Sequence, residues 1–120
     1  MIDYQITRVG ENPEILVMSL SGKLDNSSAD FFFNCLEGEI DDGYHYIVVD
    51  CEELEFISSL GIGMLLRIQS RLSHRGGVVK LASVHGIVAT VLHSVRLDQL
   101  FNMYGSVDEA VHSFAQTASP

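Results

Sequence analysis

The chain has 120 residues, 47% of them hydrophobic, with sixteen acidic and seven basic side chains and a formal charge of −9. That length supports one domain burying roughly two thirds of its unfolded surface, and the composition excludes a disordered chain. The acidic surface disfavours nucleic acid and anionic membranes and favours a basic protein partner, while short apolar runs and a polar start argue against a membrane span or a signal peptide and for a cytoplasmic protein.

Tyr4 to Val9 alternates polar and apolar residues, as a half-exposed edge strand does, and Gly10-Glu11-Asn12-Pro13 supplies a turn. Ile15 to Leu20 is apolar on both faces for most of its length, which suits an interior strand. The two are expected to pair as a hairpin. Ser21 to Ser28 reads as a polar loop ending in several candidate caps. A helix follows with Ala29, Phe33, Leu36 and Ile40 on one face. Phe32 flanks that face, whereas Phe31 points almost opposite, near Cys35, and is open to a partner or a second copy of the domain. Asp41-Asp42-Gly43 closes the helix, Tyr46 to Asp50 reads as a buried strand, and Cys51 to Glu55 as an acidic connector. Cys35 and Cys51 have no motif spacing and read as reduced thiols.

The chain changes character at Phe56-Ile57-Ser58-Ser59-Leu60-Gly61-Ile62-Gly63-Met64-Leu65-Leu66. Met64, Leu65, Ile68 and Leu72 place apolar side chains on one face of a helix, so Ser58 and Ser59 stand at a strand-to-helix junction. There a Ser can accept from an unpaired first-turn N–H, worth about 1 kcal/mol over Ala. Each Gly in a helix costs roughly 1 kcal/mol relative to Ala, yet two fall in this first turn. Gly61 shares the face of Leu65, Ile68 and Leu72, where it lets the helix lie close to the sheet. Gly63 falls on the opposite face, where bare backbone suggests that another surface comes close.

The helix is expected to run to about His74 and stop at Gly76-Gly77, with Arg67, Arg71 and Arg75 along its flank pairing with local carboxylates. Val78 to Ala82 is the next strand. Val84 to Val95 marks an amphipathic helix, and Leu100 to Tyr104 a last short strand. Ser106 caps a terminal helix with Val107, Ala110, Val111 and Phe114 inward, and its spacing to Glu109 is that of a capping box. The domain thus spans residues 1–114, with a frayed tail over 115–120. The order β-β-α-β-α-β-α-β-α implies an α/β fold: a mixed sheet of four to five strands with about four helices, joined by right-handed crossovers. In such a sheet the Lys23–Ser28 loop and the Ser58-Ser59 loop lie on one edge, bringing Asp25 near Ser59.

Catalysis needs a constellation that these residues do not supply. The five histidines, His45, His74, His85, His93 and His112, have no pair at ligand spacing. Gly61-x-Gly63 lacks the third glycine and the Lys of phosphate loops, and no Gly-x-Ser-x-Gly elbow is present. The chain therefore reads as a non-enzyme without metal or cofactor. What remains for a Ser at an exposed helix start is to accept a phosphoryl group. The helix dipole favours that charge, whereas a docked partner would not.

Gly22-Lys23-Leu24-Asp25, Ile47-Val48-Val49-Asp50, the Phe56–Leu66 stretch, Leu97-Asp98-Gln99-Leu100-Phe101 and Val107-Asp108-Glu109-Ala110 together resemble the STAS domain of bacterial anti-sigma factor antagonists, over nearly the whole chain. The resemblance implies partner switching: the antagonist binds an anti-sigma factor that is also a serine kinase, is phosphorylated by it from ATP, and is restored by a PP2C-type phosphatase. It implies Ser59 as phosphoacceptor, with Asp25 beside that site. Around them the chain's own residues give a partner-binding face of Asp25, Asn26, Ser58, Ser59, Leu60, Gly61 and Gly63, with Ser58 the second candidate acceptor. Two departures stand out. Many members have Asp before the acceptor, where this chain has Ser58, and the residue after it is usually small, where this chain has Leu60. An alternative is a STAS interaction subunit that regulates a transporter or sensory complex without phosphorylation, and exposed Phe31 leaves a homodimer open.

Overall fold

In a computed structural model that describes residues 2–10 and 13–118, the chain forms β1 (Ile2–Val9), β2 (Ile15–Leu24), α1 (Ala29–Asp41), β3 (Tyr46–Ile57), α2 (Ser59–Ser73), β4 (Val78–Ala82), α3 (Gly86–Ser94), a 3-10 turn at Leu97–Gln99, β5 (Asn102–Tyr104) and α4 (Val107–Ala118). The five strands lie in the order β1-β2-β3-β4-β5. β1 pairs antiparallel with β2, as the hairpin pattern predicts, and every later pair is parallel. Glu11 and Asn12 of the expected turn lie outside the described residues, as do Ser119 and Pro120 of the expected tail.

This strand order decides where the helices go. Each parallel crossover moves one strand in the same direction, and right-handed crossovers that all move one way put their helices on one face. Accordingly Phe32, Leu36, Ile40, Met64, Leu65, Ile68, Leu72, Val88 and Leu92 from α1, α2 and α3 meet Leu16, Met18, Ile47, Val49, Val79 and Leu81 in the larger core. The opposite face of the same strands, with Ile15, Val17, Val48 and Ala82, is covered by Ala110 and Phe114 of α4. With both faces covered, β2 and β3 need apolar residues at consecutive positions, hence the unbroken runs that mark them as interior strands.

The early strands run further than the sequence suggests. β2 reaches Leu24 and β3 reaches Ile57, so the stretch read as an acidic connector is ladder. Two register shifts explain why its pattern hides this: Ser19 and Ser21 face Asp50 and Glu53, and Gly22 and Lys23 face Leu54 and Phe56. β3 takes up one extra residue at each shift, as bulges do. Its inward residues Cys51, Leu54 and Ile57 then recur every third position instead of every second. At the other end, Leu100 and Phe101 precede β5, and α3 begins at Gly86.

Cationic side chains tie the helices to one another and to the sheet. Arg71 binds Glu37 at 2.8 Å and Asp41 at 3.4 Å, and Arg75 reaches Asp41 at 3.5 Å, which ties α2 to α1 as the local-pairing expectation holds. Arg67 differs. Its guanidinium sits 4.2 Å over the Phe33 ring and contacts the Met64 sulfur, a cation–π seat in place of a carboxylate. On the α4 face Lys80 is only 3% exposed, with its ammonium 4.1 Å from the Phe114 ring and 2.6 Å from Ser113 Oγ. Ser106 and Glu109 form the expected cap, with the Glu109 N–H on Ser106 Oγ, but the Glu109 carboxylate takes the Gly105 N–H instead of that of Ser106.

Burial pushes the Cys51 thiol up to about 12, while Cys35 is half-buried. An aromatic disulfide reagent at pH 8 should therefore titrate one thiol in the native protein, Cys35, and both after denaturation.

Candidate functional site

Leu24 and Ile57 stand opposite one another at the ends of β2 and β3, and the next residues of each strand turn toward its helix. Ser58 donates its backbone N–H to the Leu24 carbonyl at 2.9 Å, which continues the ladder by one bond and fixes where α2 starts. With φ −94° and ψ 171°, Ser58 has the extended backbone of an N-cap, and its Oγ accepts the Gly61 N–H at 3.1 Å. The first helical bond runs from Ile62 N–H to the Ser58 carbonyl at 2.9 Å. Ser59 is thus the first residue of α2. It is exposed, and among the described residues its hydroxyl has no hydrogen-bond partner. The two serines part company here: one hydroxyl is spent on the cap, the other points to solvent beside unpaired first-turn N–H groups.

The glycines divide as their helical positions predict. A Cβ on Gly61 would lie 2.8 Å from the Leu24 carbonyl oxygen and 3.0 Å from its side chain, so the bare backbone lets α2 sit on the end of β2. A Cβ on Gly63 would meet nothing within 4 Å. Nothing within the domain asks for that glycine. Leu60, 40% exposed, adds an apolar side chain to the same first turn.

Asp25 and Asn26 begin the neighbouring loop, directly after Leu24, the ladder partner of Ile57. Asp25 turns its carboxylate into its own loop: Oδ1 accepts the Ser27 N–H at 2.9 Å, the Ser27 hydroxyl at 2.6 Å and the Ser28 hydroxyl at 3.3 Å. The Ser27 hydroxyl, above all, holds the Asp25 carboxyl below the usual carboxylate range. The loop stays anionic at neutral pH. Its shape therefore holds above the ordinary carboxylate range and weakens only as pH falls through the depressed value. Ser28, which the sequence offers as a helix cap, makes no cap bond. Instead its buried hydroxyl donates to the Lys23 carbonyl at 2.8 Å and accepts the Asp25 N–H at 3.0 Å, latching the loop. A Ser in a polar cluster is legible in sequence, but which backbone groups it closes upon is not.

None of the histidines bonds Asp25, Ser58 or Ser59. His85 bonds the Glu52 carbonyl, His74 the Ser70 carbonyl, His112 the Asp108 carbonyl, and His93 the Asp98 carboxylate. His45 precedes β3, at the other end of the sheet. Among the described residues no helix is long and apolar enough to cross a membrane, and no cluster of three metal-ligating side chains occurs.

The model of the STAS domain family matches residues 7–110, which include every element that builds this edge. The chain belongs to the STAS domain family. A relative from Thermotoga neapolitana, named as a candidate anti-sigma factor antagonist, is 25% identical over 112 residues, 92% of this chain and 95% of the relative. The crystal structure of a similarly named protein from Thermotoga maritima superposes with a TM-score of 0.85 at 23% identity, covering 92% of each chain. The anti-sigma factor antagonist SpoIIAA, solved unphosphorylated and phosphorylated, gives TM-scores of 0.72 and 0.73 at 20% and 22% identity; 95% and 93% of this chain and 98% and 99% of theirs are covered. The STAS fold is common to all of them.

The two glycines of α2 should respond oppositely to a methyl group. Gly61→Ala forces α2 off the Leu24 carbonyl and should cost roughly 1–3 kcal/mol. Gly63→Ala removes backbone entropy without a clash and should add about 0.5–1 kcal/mol, both read from urea midpoints. Ser58→Ala, which leaves the Gly61 N–H uncapped, should cost about 1 kcal/mol.

Proposed function

We propose that this protein is an anti-sigma factor antagonist whose docking to an anti-sigma factor is switched by phosphorylation of Ser59. The observation that carries the reading is the exposed, unbonded Ser59 hydroxyl at the first position of α2, with open backbone at Gly63 and the apolar Leu60 beside it. Ser58 is the poorer acceptor because its hydroxyl already holds the Gly61 N–H. The partner-binding face comprises Asp25, Asn26, Ser58, Ser59, Leu60, Gly61 and Gly63. The cognate anti-sigma factor is a serine kinase drawing on ATP, and a PP2C-type phosphatase reverses the step in the cytoplasm. A chain of net charge −9 suits a partner with a basic surface.

The energetics separate folding from binding. Phosphoserine brings a charge of about −1.5 to −2. At the start of α2 the helix dipole favours it by about 0.3–1 kcal/mol, so the fold persists. Against a docked partner the same dianion loses its water, and an unpaired buried charge costs several kcal/mol. Each 1.4 kcal/mol is tenfold in affinity, so one group cuts binding by orders of magnitude.

Incubation with ATP and the cognate kinase should add the mass of one phosphate to the wild type and to Ser58→Ala, and none to Ser59→Ala. Ser59→Asp should lose partner binding in calorimetry with an unchanged circular dichroism spectrum. Full binding by Ser59→Asp would defeat the switch, and docking by both serine variants without any phosphate transfer would favour a phosphorylation-independent interaction subunit.

A further inference from the structure

We propose that two copies of this chain pair through the outer edge of β1 and the adjoining face of α1. β1 is an eight-residue edge strand with an unbroken register to β2, and it carries no proline, lysine or bulge of the kind that usually guards an edge. Among the described residues its outer N–H and C=O groups have no strand beside them. Beside that edge sit exposed apolar groups: Tyr4, 38% exposed, and Phe31, 49% exposed, in ring contact at 5.7 Å.

Two contacts place α1 relative to β1. Tyr4 touches Phe31, and Arg8 reaches Glu39 at 3.3 Å, so the helix runs beside the strand in the same direction. Along α1, Phe31, Cys35 and Gly38 follow one another at steps of four and three, one stripe of the helix. A Cβ on Gly38 would meet nothing within 4 Å, so the fold itself gives no reason for a helix-breaking residue there. Bare backbone at Gly38 and a bulky ring at Phe31 are complementary when two such helices lie antiparallel.

A two-fold axis through the middle of β1 provides that arrangement. With Gln5 on the axis, Tyr4 of each copy faces Ile6 of the other on the helix side, and Asp3 faces Thr7 on the reverse. The two five-stranded sheets then join as one. The α1 helices come to about 10 Å, a normal packing distance, and Phe31 of one copy reaches the Cys35–Gly38 turn of the other. The occupant is a second copy because, in a chain of charge −9, residues 2–9 contain one acid, Asp3, and one base, Arg8, and the Phe31–Cys35–Gly38 stripe is uncharged, the α1 acids Glu37, Glu39 and Asp41 being paired with Arg71, Arg8 and Arg75. This neutral strip is where two acidic molecules can approach, and its pairing is self-complementary as an isologous dimer requires. The axis also sends the two Ser59 sites to opposite ends of the joined sheet, so pairing is independent of the switch.

Sedimentation velocity on the full chain from about 5 to about 500 µM should show a 13.2 kDa species converting reversibly to one of twice that mass. Phe31→Asp and Gly38→Arg should each raise the dimer dissociation constant at least tenfold with unchanged circular dichroism, and Ser59→Asp should leave it unaltered. If Phe31→Asp perturbs folding, Gly38→Arg still decides, since its side chain enters open space. A short bismaleimide should join two chains through Cys35 but not through buried Cys51. A wild type that stays monomeric throughout, a dimer indifferent to both substitutions, or one dissolved by Ser59→Asp would overturn the proposal.

Discussion

The Leu24 carbonyl is the joint on which the site depends. It receives the Ser58 N–H at 2.9 Å, and a Cβ on Gly61 would press against it at 2.8 Å. One oxygen thus sets both where α2 begins and how closely it lies on the sheet. The consequence runs outward residue by residue: with Ser58 held as cap, Ser59 must be the first helical residue, and its side chain must face away from the end of β2. A displaced helix start would exchange the roles of the two serines. The site is therefore a product of strand-end geometry more than of the serines themselves.

The Asp25 loop reaches the same edge through different forces. Its carboxylate is satisfied locally by Ser27 and Ser28, and the Ser28 hydroxyl closes on the Lys23 carbonyl. Asp25 therefore shapes the loop and contributes charge to the edge without bonding to the α2 serines. Deeper in the molecule, the pairing of Arg71 and Arg75 with α1 carboxylates holds the two site-bearing helices to one another. Their pairs are partly exposed, so each is worth at most about 1 kcal/mol; the apolar layer of Leu36, Ile40, Ile68 and Leu72 beneath them supplies most of the cohesion.

Much of this was legible in the residues. The helix phase of Gly61 and Gly63 separated a glycine that packs from one that does not, because a period of 3.6 assigns faces before any neighbour is known. The hairpin, the four helices and the common edge of the two loops followed from apolar pattern and the handedness of crossovers. Less legible were the extents of β2 and β3. Bulges change the inward spacing of Cys51, Leu54 and Ile57 from two to three, and a pattern search tuned to alternation passes over them. Arg67 was misread because charge counting looks for carboxylates, whereas the Phe33 ring lay closer. Lys80, in a strand otherwise apolar, gave no sign that Phe114 and Ser113 would enclose it.

Taken by itself, the chain of residues determined the α/β class, the succession of elements and the junction at which two serines meet a helix, since these depend on neighbours in sequence and on backbone sterics. Only the tertiary structure decided which serine caps and which is free, where the Asp25 carboxylate points, and that Phe31 stands open beside an unpaired strand. Those outcomes rest on contacts between segments some thirty residues apart, Leu24 with Ser58 and Tyr4 with Phe31. Distances between such segments are set by the packing of the whole sheet, which no local pattern encodes.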